Sequence, residues 1–98
     1  MTIEIKRNAE ETTIKLVGRL DTTTAPALDK TIVEDIAGTK NLVLDVKELE
    51  YISSAGLRVF LGAQKKMQKI GSMKVTNVRE EVMEVFEMTG FADILTIA

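Results

Sequence analysis

The 98-residue sequence contains no cysteine, no histidine and no tryptophan, and only one proline. Without cysteine, neither a disulfide framework nor a thiolate metal site can form. Without histidine, the chain lacks the commonest general base and the commonest metal ligand, so a Ser-His-Asp triad is excluded. The six glycines match no Walker or dinucleotide-binding pattern. We therefore expect no enzymatic activity, no bound metal and no cofactor.

Long hydrophobic runs are also lacking. No apolar stretch approaches the roughly 20 residues needed to span a bilayer, and residues 1–6 alternate with charges, unlike a signal peptide. The net charge is −2, and the 13 basic residues form no dense cluster, which argues against a nucleic-acid partner. We expect a single domain over residues 1–98 that is cytoplasmic and does not insert into a membrane.

Hydrophobic periodicity predicts an alternation of strands and helices. The predicted strands cover residues 2–6, 12–17, 42–46 and 73–76, with 94–97 as a short last strand or an apolar tail. The first two form an antiparallel hairpin, and the apolar run at 42–46 predicts a central strand buried on both faces. The predicted helices cover residues 25–37, about 54–70, and a segment capped by Asn77 that ends at Gly90.

This order, β-β-α-β-α-β-α-β, predicts an α/β fold with a mixed sheet, because strand–helix–strand units pair in parallel while the first hairpin is antiparallel. In the central helix, seven residues are predicted to face the sheet: Gly56, Leu57, Phe60, Ala63, Gln64, Met67 and Ile70.

The stretch from Tyr51 to Leu61 places two serines directly before a helical apolar pattern. Serine is a favoured N-cap residue because its hydroxyl accepts a hydrogen bond from a free backbone N–H. A helix N-terminus also attracts anions such as phosphate. Ser53 and Ser54 therefore have two interpretations, a helix cap or a modification site, and the pattern taken alone favours the cap.

This stretch resembles the signature of anti-sigma factor antagonists, a branch of the STAS domain family. In that signature an apolar pair precedes Asp-Ser-Ser/Thr-Gly-Leu, and Tyr51-Ile52-Ser53-Ser54-Ala55-Gly56-Leu57 lies over it without a gap. Ser54 matches the serine that a partner kinase phosphorylates in the family, and Ser53 is the second choice. Two positions depart from the signature, since Ser53 stands where aspartate is usual and Ala55 where serine or threonine is usual.

Two further segments extend the resemblance over essentially the whole chain. Residues 18–21 (Gly-Arg-Leu-Asp) resemble the family's Gly-Glu-Leu-Asp element, and residues 88–91 (Met-Thr-Gly-Phe) resemble its Met-Ser-Gly-Leu element. In the family the aspartate of the first element lies near the phosphorylated serine and helps to contact the kinase, which implies that role for Asp21. The expected partner-binding residues are Asp21, Thr22, Ser53, Ser54, Gly56 and Arg58.

The resemblance implies a STAS fold and a switch in protein binding. In the family, the unmodified domain binds a serine kinase that doubles as an anti-sigma factor, and this frees the sigma factor. Phosphorylation of the serine releases the domain, and a separate serine phosphatase resets it. An anti-sigma factor/serine kinase and a phosphatase are therefore the expected partners.

Two other interpretations remain open from the sequence. The chain could be a non-switching STAS scaffold in a stress-signalling or transport-associated assembly, with Ser53 and Ala55 marking that drift. Alternatively, it could bind a small molecule or nucleotide in a pocket near Asp45 and Ser54. Asp45 lies within an apolar run, where the nearby serine loop could supply hydrogen bonds to its carboxylate, or it lies at an exposed strand end.

Overall fold

The computed structural model describes all 98 residues as a four-stranded mixed sheet with three α-helices. The strands are β1 (Thr2–Asn8), β2 (Glu11–Leu20), β3 (Asn41–Ile52) and β4 (Ser72–Thr76). The helices are α1 (Ala25–Asp35), α2 (Ser54–Ile70) and α3 (Glu80–Thr89), followed by a short 3-10 helix at Phe91–Asp93. The predicted α/β class and the order of these elements are confirmed. No helix is both long and apolar enough to cross a bilayer.

The strands lie in the order β1-β2-β3-β4. β1 pairs antiparallel with β2, which confirms the predicted hairpin, whereas β2–β3 and β3–β4 are parallel. α1 and α2 are the crossover connections of these parallel pairs, as strand–helix–strand units require. Residues 94–97, predicted as a short last strand or an apolar tail, form no strand and contribute a single parallel bridge between Val75 and Ile97.

One face of the sheet carries the hydrophobic core. Alternate residues of β2, β3 and β4 join the buried faces of all three helices in one cluster, which includes Ile14, Leu44, Phe60 and Phe86. β3 is central, as predicted, and the apolar residues of its predicted run are buried, but no helix packs on the second face. On that open face Val43 is shielded by neighbouring strands and is 7% exposed, yet it lies outside the core cluster.

The first strand is less buried than its alternating pattern predicts. Ile3 and Ile5 lie opposite the core residues Leu16 and Ile14 and therefore point to the helix face. Ile3 is half-buried, but Ile5 is 40% exposed. β1 is an edge strand of the sheet, so its residues have a neighbouring strand on one side only.

Two predictions at helix ends were wrong. Asn77 does not cap α3, which begins at Glu80 with Arg79 in the N-cap position and no side-chain cap. Asn77 instead adopts a left-handed backbone (φ 58) and donates a side-chain hydrogen bond to Asp45. Ile70 is 49% exposed because the last turn of α2, residues 68–70, extends beyond the core. Gly90 ends α3, as predicted, and adopts the left-handed conformation.

Candidate functional site

The candidate site lies where β2 and β3 end and α1 and α2 begin. The two parallel strands pair up to Leu20 and Ile52, and the backbone N–H of Ser53 donates to the carbonyl of Leu20 at 2.9 Å. The loop that starts at Asp21 and the serine loop are therefore side by side. Because both helices start here, their N–H groups point to one edge of the sheet, where they favour negative charge. Neither helix has an acidic residue in its first turn.

Ser53 is the N-cap of α2. Its backbone is extended (φ −93, ψ 175), and its hydroxyl accepts a hydrogen bond from the N–H of Gly56 at 3.3 Å. Its carbonyl accepts from the N–H of Leu57 at 2.9 Å, which closes the first turn of the helix. Ser53 is half-buried, and its hydroxyl is already occupied. Of the two serines, this is the one that caps the helix.

Ser54 is the first residue of α2 and is exposed. Its hydroxyl takes no part in the side-chain hydrogen bonds of this loop, where the only such bond is the one accepted by Ser53. The backbone N–H groups of Ser54 and Ala55, in the first helical turn, have no partner within the helix and can meet an anion, whereas that of Gly56 is taken by the cap. The geometry thus gives the two adjacent serines different chemistry: a hydroxyl engaged in the cap and a hydroxyl open to solvent.

The Asp21 loop forms a tight turn that leads into α1. Asp21 Oδ1 accepts hydrogen bonds from the Thr23 hydroxyl (2.7 Å), the Thr23 N–H (3.0 Å) and the Thr24 N–H (3.1 Å). These bonds, led by the one from the Thr23 hydroxyl, hold the pKa of Asp21 below its ordinary value, so the carboxylate stays ionised. Thr22 lies at the exposed tip of the turn.

Gly56 fixes the distance between α2 and the strand ends. It is buried, and a Cβ built at this position would lie 2.7 Å from Leu20 Cγ and 2.9 Å from Ile52 Cγ1. Only glycine lets the helix approach this closely. Gly56 therefore positions the serines and does not itself present a surface.

Arg58 lies one turn after Ser54 and is exposed, with no ion pair to any carboxylate in the chain. Of the apolar residues that follow the serines, Leu57 is buried, whereas Val59 and Leu61 are half-buried. The beginning of α2 thus presents a hydroxyl, a guanidinium and some apolar surface on its outer side.

A contact between Arg19 and Tyr51 was missed from the sequence. The Arg19 guanidinium lies over the Tyr51 ring, 4.3 Å from its centroid. The two residues lie opposite each other near the ends of β2 and β3, directly before Leu20 and Ile52. This contact could have been predicted from the register of the two parallel strands, but the spacing of residues in the sequence does not give that register. The contact flanks the site with an exposed cation–π pair.

Asp45 does not belong to this site. It lies in the middle of β3, and its Oδ1 accepts hydrogen bonds from the Lys47 N–H and the Asn77 side chain, both at 3.1 Å. Neither of the two alternatives for Asp45 holds, because β3 continues for several residues beyond it, about 20 Å along the strand, so it lies neither beside the serine loop nor at the strand end. The surface cavity beside Asp45 opens on the bare sheet face, and neither serine lines it. No cluster of carboxylates suitable for a metal ion is present.

Comparisons with known proteins agree with this geometry. The STAS domain model matches residues 2–98. The anti-sigma-B factor antagonist of Bacillus subtilis is 31% identical over 97 residues, which cover 98% of this chain and 89% of that protein. A crystal structure of an anti-sigma factor antagonist from Mycobacterium paratuberculosis is similar with a TM-score of 0.88 and 23% identity, over 98% of this chain and 83% of that one.

A further structural neighbour is the Bacillus cell fate determinant SpoIIAA in its phosphorylated form. Its TM-score is 0.78 at 19% identity, and the alignment covers 99% of this chain and 91% of that one. At such identities the two solved structures establish a shared fold. The family match and the relative from Bacillus subtilis extend the likeness to the sequence, and they show that this chain belongs to the STAS domain family.

Proposed function

We propose that this chain is an anti-sigma factor antagonist that is switched by phosphorylation of Ser54. The unmodified form binds an anti-sigma factor that is also a serine kinase and thereby frees a sigma factor. Phosphorylation ends the binding, and a serine phosphatase restores it. The observation that carries the proposal is the difference between the two serines: the Ser53 hydroxyl is engaged in the helix cap, and the Ser54 hydroxyl is exposed and unbonded.

The similar proteins support this function. The relative from Bacillus subtilis is named an anti-sigma-B factor antagonist. SpoIIAA has been solved in an unphosphorylated and in a phosphorylated form, and both share the fold of this chain. A phosphate switch is therefore compatible with this architecture.

The proposed binding surface is the exposed part of the two adjoining loops and the first turns of α2. It consists of Asp21, Thr22, Ser53, Ser54 and Arg58, and Gly56 contributes by holding the helix close to Leu20. The half-buried side chains of Val59 and Leu61 adjoin these polar groups and give a partner an apolar contact.

Electrostatics explain how a phosphate could release a partner without refolding the domain. The phosphate adds about −1.5 to −2 charges at pH 7. At the N-terminus of α2 this charge is stabilised within the domain by about 0.3–1 kcal/mol. In an interface, the same charge must lose water or meet carboxylates of the partner, so binding weakens. Backbone chemical shifts should therefore change on phosphorylation only in the Asp21 and Ser54 loops and the first turn of α2.

Two matched variants test the assignment. Ser54→Ala removes the proposed acceptor and leaves the cap intact, whereas Ser53→Asn removes the other hydroxyl but keeps a favoured cap residue. Each protein is incubated with ATP and each anti-sigma kinase of the same cell, and the incorporated phosphate is measured by intact mass. The wild type and Ser53→Asn should gain one phosphate, and Ser54→Ala should gain none.

Binding to the same kinases separates the switch from the scaffold alternative. Ser54→Asp should weaken binding at least tenfold, and Ser54→Ala should bind like the unmodified wild type. If Ser53→Asn alone abolished phosphorylation, the acceptor would be Ser53. If no kinase modifies the chain and Ser54→Asp leaves binding unchanged, the chain is a constitutive scaffold. The departures from the signature at Ser53 and Ala55 would then reflect the loss of the switch.

A further inference from the structure

The outer edge of β1 has no pairing partner within the chain. β1 pairs with β2 over seven residues, Thr2–Asn8, and its other side faces away from the sheet. The opposite edge, β4, is covered near its end, because the Val75 N–H donates to the Thr96 carbonyl (2.8 Å) and the Ala98 N–H donates to the Val75 carbonyl (3.0 Å). The sheet therefore has one free edge and one blocked edge, so pairing between copies would end at a dimer.

The free edge is long and regular. Its register with β2 runs without a shift, so no bulge twists it away, and it contains no proline. These are two of the devices by which proteins prevent edge strands from pairing. The edge also leaves an apolar side chain unsheltered: Ile5 is 40% exposed although it lies opposite the fully buried Ile14.

We propose that β1 pairs antiparallel with β1 of a second copy of this chain, about a two-fold axis at Ile5. In this register Ile5 lies opposite Ile5 of the second copy, and each buries the other on the helix face of the sheet. Glu4 lies opposite Lys6 of the second copy, and Lys6 lies opposite Glu4. The three central residues of the strand are thus self-complementary in apolar character and charge, whereas Arg7 lies opposite Ile3 of the second copy. The two central ion pairs and the Ile5 contact would lie on opposite faces of one continuous eight-stranded sheet.

The charges on the open face continue this pattern into each copy. Glu48 and Lys15 form an ion pair at 2.6 Å, and Lys15 is the register partner of Glu4. In the dimer Glu4 would lie between Lys15 of its own chain and Lys6 of the second copy. Lys6 and Glu4 form no ion pair within the single chain. Opposite charges that face one another across antiparallel strands stabilise the pairing, and like charges oppose it.

A single pair of edge strands buries little surface, so we expect a weak dimer, with a dissociation constant on the order of 0.1–1 mM in low salt. Sedimentation velocity from about 20 µM to about 2 mM measures it. Raising the salt concentration should weaken the dimer because the ion pairs lie on an open, hydrated face. Deuterium exchange at the outward-facing N–H groups of β1 should slow as the protein concentration rises, and the N–H groups of α1 should show no such dependence.

Charge swaps make the test specific to this register. Glu4→Lys gives each strand two lysines on the open face, and Lys6→Glu gives each strand two glutamates. Either variant alone should dimerise about tenfold or more weakly, because both ion pairs become like-charge pairs. An equimolar mixture of the two variants should form a heterodimer as tight as the wild-type dimer, and so should the double variant with itself. Lys74→Glu, on the open face of β4, changes the net charge as Lys6→Glu does and should leave dimerisation unchanged.

Circular dichroism establishes that each variant is folded. The mixture is a further control, because it restores dimerisation with the same two chains that dimerise weakly alone. A wild type that sediments as a monomer at 2 mM overturns the proposal. Self-association that persists in both single variants, or that is not restored by mixing them, overturns it as well. The proposal is independent of the phosphate switch. β1 lies at one edge of the sheet, whereas Ser54 begins α2, directly after the central strand β3.

Discussion

Gly56 and Gly62 lie on the same helix in opposite surroundings, and alanine at the two positions isolates the cost of crowding at the site. At Gly62 a Cβ would meet no atom within 4 Å. At Gly56 it would lie 2.7 and 2.8 Å from two carbons of Leu20 and 2.9 Å from Ile52. Leu20 and Ile52 are themselves almost fully buried, at 0% and 2% exposure, so neither has room to retreat.

The size of the effect follows from two contributions. Replacing glycine by alanine within a helix stabilises it by up to about 1 kcal/mol. Adding a methyl group to a well-packed core costs about 1–3 kcal/mol. Gly62→Ala receives only the first contribution and should be more stable than the wild type. Gly56→Ala receives both, so the free energies of unfolding of the two variants should differ by about 1–3 kcal/mol.

Urea denaturation, followed by circular dichroism, measures both variants under the same conditions. For a domain of this size the difference corresponds to melting temperatures roughly 5–15 °C apart, with Gly62→Ala the higher. Gly56 lies in the first turn of α2 and Gly62 in its interior, so the helix contribution at Gly56 is no larger than at Gly62 and does not reverse the expected order. Equal stabilities, or a more stable Gly56→Ala, would refute the claim that Gly56 sets the approach of α2 to the strand ends.

Two further outcomes follow from buried and hydrogen-bonded polar groups. Gln64 is 6% exposed and its Oε1 has no hydrogen-bond partner, so Gln64→Met should raise the free energy of unfolding by about 1 kcal/mol in urea denaturation; a loss of stability would mean that the amide is satisfied. The lowered pKa of Asp21 means that its stabilising effect is complete above its ordinary pKa, about 3.9, and is lost as the pH falls through the lower folded value. Asp21→Asn should therefore flatten the pH dependence of stability below about pH 4, and an unchanged acid profile would contradict the assigned hydrogen bonds.

Local patterns in the sequence were sufficient for most of the fold. Alternation predicted the hairpin, glycines marked the ends of α2 and α3, and helical periodicity identified the buried face of α2 apart from Ile70. These features depend on residues close together in the chain. The open face of the sheet could not be derived in the same way, because an apolar strand such as β3 has the same composition whether one or both of its faces are covered.

The candidate site was predictable only in part for the same reason. The serines and Asp21 carry the family resemblance, and the structure places their loops side by side. The pairs Arg19–Tyr51 and Asp45–Asn77 join residues 32 positions apart, and each depends on the register between strands or on a loop conformation. The local sequence around Asn77 fits a helix cap, but in the structure its side chain donates a long-range hydrogen bond to Asp45 instead.

The most direct test of the phosphate switch is peptide mapping by mass spectrometry of this protein, purified from its own cells during growth and under stress. We predict a single phosphate on Ser54, with an occupancy that changes between the two conditions, and no phosphate on the capped Ser53. A protein that remains unmodified in every condition, or that carries its phosphate elsewhere, would contradict the account of Ser54 as the acceptor.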